Sequence, residues 1–227
     1  MVQALSRTAV VTQQLWLKSH VFADEGTYFV TSDSTNSADG TGINTGGVTQ
    51  TGYVATTPTM TIFNNGTNKI YLDFLTLFMT VGGASLTSWR WAMYGDTTNR
   101  YTSGGTVAAV VNRPDMSLAT FTASAAVIYF GAITAAAAGA NVRFLGKGIF
   151  RNAIPVVGDM YTLNFGSVEQ GISQSQDSGT NSIAQMFAAP PVIIWPGFFW
   201  ALYTWGPSMA TTSPAASYQL GFVERSL

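Results

Sequence analysis

One imidazole, a few scattered carboxylates and six tryptophans are the side chains of this 227-residue sequence that could do chemistry. His20, in the run KSHVF, is the single histidine, and a Ser-His-Asp triad would have to be built on it. No GxSxG context accompanies it, so a structural or solvent-facing histidine is the expectation. There is no cysteine, which removes thiol catalysis, disulfides and zinc–thiolate sites together and leaves only oxygen ligands for a metal. The richest oxygen cluster is DSTNSADG, residues 33–40, where Asp33, Asn36 and Asp39 could surround a calcium ion. It lacks the full calcium-loop pattern, so a plain polar loop is expected, with no metal and no cofactor.

Glycoside hydrolysis would need two acids facing one cleft. Of the 11 acids, Asp24, Glu25, Asp96, Asp159 and Asp177 stand in turn-like contexts, where a carboxylate caps local backbone donors. Asp73 and Glu169 do not, but nothing in the sequence pairs them. GKGIF, residues 146–150, is too short for a phosphate loop and sits in a strand context. The chain therefore reads as non-enzymatic. Trp89, Trp91, Trp195, Trp200 and Trp205 could stack on sugars, but tryptophan in strands is more often core or interface.

The elements that would position these groups are strands. Two segments imitate membrane spans. AAVIYFGAITAAAAGA, residues 125–140, is shorter than the ~20 residues a helix needs to cross. The other, PPVIIWPGFFWALYTW at 190–205, is interrupted by Pro190, Pro191 and Pro196, each of which costs a helix a donor. Pro196 and Gly197 read as a turn between two strands rich in aromatic and β-branched residues. Further runs of that composition recur along the chain, among them TYFV, SWRWAMYG, NVRFLGKGIF, IPVVGDMYTLNFG and SYQLGFVE. Asn64, Asn65 and Gly66 mark a hairpin or bulged pair, and the two parities of IYLDFLTLFM suggest a strand covered on both faces. Only the alanines at 135–138 favour helix, for a turn or two. About ten short strands without helical crossovers imply a single all-β sandwich or barrel over 1–227, with an N-terminal arm at 1–12 and a long polar loop at 32–52.

Charge is the most informative absence. Charged residues make up 9% of the chain, where roughly a quarter is ordinary. Residues 178–223 contain none at all. The net charge of −1 and the dispersed cations set aside binding to nucleic acid or to an anionic membrane. Depletion of charge with enrichment of aromatics marks interface cores, so a homo-oligomer is expected. Strand parity puts Phe198, Trp200, Leu202 and Thr204 on one face and Phe199, Ala201, Tyr203 and Trp205 on the other. One face belongs to the core and the other is expected to meet a neighbouring subunit. Trp195, Phe198, Phe199, Trp200, Tyr203, Trp205, Trp89 and Trp91 are the candidate interface residues.

KIYLDFLTLFMTVGGASLTSWRWAMYGDTTNRYTSGG, IPVVGDMYTLNFG, PPVIIWPGFFWALYTW and SYQLGFVER together resemble a class of tailed-bacteriophage virion proteins, over about residues 55–225. The resemblance implies a single jelly roll that acts as a capsid decoration, or cement, protein. It further implies a trimer on the outer capsid surface, bound to the major capsid protein after assembly in the host cytoplasm. Phe198, Phe199 and Trp200 depart from it, a more polar residue being expected after the turn. The competing expectation is a receptor-binding or fibre-tip jelly roll that recognises host surface glycans.

Overall fold

The computed structural model describes residues 22–23, 25–32, 43–44, 50–84, 88–108, 123–167, 182–208 and 214–226. Among them run thirteen strands: β1 (Tyr28–Ser32), β2 (Ile43–Asn44), β3 (Met60–Asn64), β4 (Lys69–Val81), β5 (Trp89–Asp96), β6 (Tyr101–Val107), β7 (Ala126–Ala135), β8 (Arg143–Arg151), β9 (Met160–Phe165), β10 (Ala184–Ala189), β11 (Ile193–Ile194), β12 (Phe199–Trp205) and β13 (Ala215–Arg225). One sheet runs β1-β13-β4-β9-β10, with β2 beside β13 and β11 beside β4; the other runs β6-β7-β3-β12-β5-β8. Strip away β2, β6, β7, β10 and β11, and eight strands remain. Their first, eighth, third and sixth form one sheet, and their second, seventh, fourth and fifth form the other. That is jelly-roll order. The protein is an all-β jelly-roll-like sandwich.

The core lies between the sheets. Leu72, Leu75, Leu77, Tyr218, Leu220 and Phe222 of the first sheet meet Met60, Ile62, Trp89, Trp91, Met93, Trp200 and Leu202 of the second. Apart from a switch of parity within β4, these side chains follow the alternation of their strands, which a half-buried sheet requires.

Three expectations are corrected by this arrangement. The two parities of β4 do not report two covered faces. The register against β13 shifts between Gly221 paired with Phe74 and Phe222 paired with Leu72, leaving Asp73 as the extra residue of a β-bulge. The bulge switches the inward set from Ile70 and Leu72 to Leu75, Leu77 and Met79, while Phe78 faces outward and is exposed. The Asn64–Gly66 turn is real, but β3 and β4 belong to opposite sheets, so it is a corner and no hairpin. Its carboxamide explains why: Asn64 Nδ2 donates to the carbonyls of Asn68 at 2.7 Å and Ile194 at 2.9 Å, and its Oδ1 accepts the Gly66 N–H. Finally, the alanines at 135–138 form no helix. Ala135 ends β7, its N–H bonding to the Thr56 carbonyl and that of Ala136 to the Arg100 carbonyl. Tertiary partners override a modest local propensity.

Of the polar stretch at 32–52, only residues 32, 43–44 and 50–52 are described. Ser32 closes β1, and Ile43 and Asn44 pair with β13 as β2. The N-terminal arm and most of this loop lie outside the described residues.

Candidate functional site

One end of the sandwich carries a cleft. The end of β5 and the residue after it supply Gly95, Asp96 and Thr97, the start of β8 and the turn before it supply Arg143, Leu145 and Asn141, and the β11–β12 segment supplies the opposite wall. The volume is about 560 Å³, within the range of small-molecule sites. The β11–β12 wall turns on Pro196 and Gly197. The Phe198 N–H bonds to the Trp195 carbonyl at 2.9 Å, and Gly197 takes a φ of 77°, which its missing Cβ allows. The turn presents Trp195 to solvent, 45% exposed. Lys69 stands over its indole, with Nζ 3.9 Å from the ring centroid.

The polar wall divides into committed and uncommitted groups. Asp96 is buried, and its Oδ1 accepts the Thr98 N–H at 3.1 Å and the Thr98 hydroxyl at 3.0 Å. Its Oδ2 lies 3.8 Å from Arg100 Nε. Arg143 and Asn141, by contrast, are exposed and make no side-chain hydrogen bond or ion pair among the described residues. Trp200, at the base of the cleft, leaves its indole N–H without an acceptor among the described residues, as do Trp89 and Trp91 elsewhere in the core.

The face of β12 expected to meet a neighbour is covered by the chain itself. Phe199, Ala201 and Tyr203 form a second apolar cluster, packed against Phe63, Tyr94, Tyr101 and Trp205. Tyr53 lies across it, its ring centroid 5.1 Å from Tyr94, 5.0 Å from Tyr203 and 6.2 Å from Trp205. Buried Arg100 fastens this cover. Its Nη2 donates to the carbonyls of Ala55 at 2.8 Å and Ala136 at 2.7 Å, and the Tyr203 hydroxyl donates to the same Ala55 carbonyl at 3.1 Å. Burial pushes both the Tyr203 and Tyr53 phenols up, and for Tyr53 the neighbouring Tyr203 and Tyr94 add to it.

The eight candidate interface residues therefore separate. Trp89, Trp91, Phe199, Trp200 and Tyr203 are buried under this chain's own atoms, Phe198 and Trp205 are half-buried, and Trp195 is exposed. Tyr53, Arg100, Asn141 and Arg143 escaped the sequence reading. Asp96 and Arg100, four residues apart, were the one available signal.

Three further described carboxylates, Asp73, Glu224 and Asp159, make structural contacts. Asp73 accepts the Tyr28 hydroxyl at 2.8 Å across the bulge. Glu224 accepts from the Ser124 hydroxyl and from the Ala125 N–H. Asp159 is fully buried. It takes Arg151 Nη1 on both oxygens at 2.6 and 2.7 Å, the Tyr161 hydroxyl at 2.6 Å, and the N–H groups of Val156 and Ile183 at 3.0 and 2.9 Å. This carboxylate ties β8, β9 and the approach to β10 together. His20, the 33–40 oxygen cluster and Glu169 lie outside the described residues.

No family model matches the chain, and neither a curated protein nor a solved structure does. Among the described residues no group of three or more His, Cys, Asp and Glu gathers to hold a metal, and no helix is long and apolar enough to cross a membrane.

Proposed function

We propose that this protein is a non-enzymatic structural component of a tailed-phage virion, a decoration protein that oligomerises as a trimer and binds the outer capsid surface. The observation that carries the reading is the distribution of exposed apolar side chains on a jelly roll so poor in charge. Phe78, Val81, Ile154 and Val157 crowd one end of the sandwich, Phe144, Ile193 and Trp195 are exposed toward the other, and Met186 projects from the outer strand β10. That strand has no Lys, Glu or Pro to discourage pairing along the edge that no other described strand covers. Apolar surface at both ends and along an edge is surface suited to being covered, by sister subunits and by a shell. Binding only the assembled lattice would stabilise it by mass action, to a degree set by concentration over dissociation constant. The purified chain should co-sediment with capsids that lack it and raise the temperature at which they burst. Failure to co-sediment at micromolar concentration would sink the reading.

A second reading, a receptor-binding jelly roll that recognises surface glycans, is favoured by one observation. An exposed tryptophan lines a cleft whose other wall is polar.

A further inference from the structure

We infer that the cleft is a saccharide site and that Arg143 makes it select sugars bearing a carboxylate. The inference rests on the second reading and is independent of whether the chain decorates a shell. A pyranose has an apolar C–H face and a hydroxylated rim, and the cleft has a wall for each. Trp195 and Ile193 are both exposed on the apolar side, which suits ring stacking. Thr97 and Asn141 on the facing side offer a hydroxyl and a carboxamide, groups that donate and accept in turn as sugar hydroxyls do.

Charge then narrows the class. Three arginines can be compared. Arg100 is spent on two backbone carbonyls beside Asp96, and Arg151 on Asp159. Arg143 lines the cleft, exposed, with no carboxylate partner among the described residues. The cleft's own acid does not neutralise it, because Asp96 is turned onto Thr98 and faces Arg100. Lys69, outside the lining, covers one face of the Trp195 ring. An aromatic wall facing a guanidinium able to fork onto a carboxylate fits an acidic sugar better than a neutral one.

The test is calorimetric titration of the full chain with sialyllactose and with oligogalacturonate, each beside a neutral counterpart such as lactose. At least one acidic saccharide should bind about tenfold or more tightly than its neutral counterpart. Arg143→Gln should erase that difference, and Trp195→Ala should abolish binding of both. Each substituted side chain is exposed, so both variants should keep the wild-type fold. Equal binding of acidic and neutral sugars, unchanged by Arg143→Gln, would overturn the inference while leaving the glycan reading intact. Binding of no saccharide would overturn both. A short peptide with a free C-terminal carboxylate, bound as tightly as the sugars, would also overturn it, since the carboxylate alone would then be the ligand.

Discussion

At the residue scale, Asp159 is the buried charge on which most depends among the described residues. An Asp159→Asn exchange removes a charge partner from Arg151 and disturbs the acceptor shared by Tyr161, Val156 and Ile183. Breaking a buried pair from one side costs about 3–5 kcal/mol, and the loss should appear as a lower urea midpoint. The tyrosines give a pH dependence of definite sign. Burial first, and the hydrogen-bonded carboxylates next, raise the Tyr28 and Tyr161 phenols above their ordinary 10.0. In the unfolded chain they ionise near that value, while in the fold they hold their protons. Stability from this source is therefore complete below pH 10 and lost as the pH rises beyond it. The free energy of unfolding should fall above pH ~10 by up to about 1.4 kcal/mol per pH unit for each such group. Tyr161→Phe should flatten that slope, as urea titrations at several alkaline pH values would reveal.

At the scale of elements, the bulge in β4 sets the most exacting fit. Gly221 lies under the Phe74 ring, and a Cβ there would come within 2.5 Å of the Tyr28 hydroxyl, which bonds Asp73. Gly221→Ala should destabilise by about 1–3 kcal/mol through overpacking. Gly139→Ala, where a Cβ meets nothing within 4 Å, should be close to neutral. Differential scanning calorimetry of the two variants would check both. The bulge also marks where the sequence could be read and where it could not. Alternation in β12 and β5 was legible, because Trp200 and Leu202, and Trp89, Trp91 and Met93, keep one parity across unbroken strands. In β4 an extra residue switches parity without changing composition, so the run looks covered on both sides. β10 was missed altogether. AQMFAA has no alternation strong enough to see, and it is a strand because it lies parallel along β9, a partner 24 residues back. The Pro196–Gly197 turn was plain from residue types, since a positive φ there calls for glycine. The cleft beside it was not, because Asn141 and Arg143 reach it from the start of β8 and the turn before it, distant in sequence and joined to this region through β5.

At the scale of the molecule, jelly-roll order brings three strand ends to one cleft and leaves apolar side chains exposed at both ends. The second face of β12 is no docking surface in waiting, since Tyr53 and Arg100 close it from within. The proposed subunit contacts are the exposed apolar ends and the β10 edge. Sedimentation equilibrium should give three times the chain mass of 24.1 kDa. Introducing a charge at Val157, the most exposed of the end residues at 64%, should weaken the trimer. A wild-type monomer at micromolar concentration would contradict the assembly proposed.

The most direct measurement is cryo-electron microscopy of the native particle. The account predicts density for a jelly roll of this strand order on the outside of the shell, in trimers that bridge neighbouring capsid subunits. Density for the same jelly roll at a tail or fibre tip, with none on the shell, would contradict it.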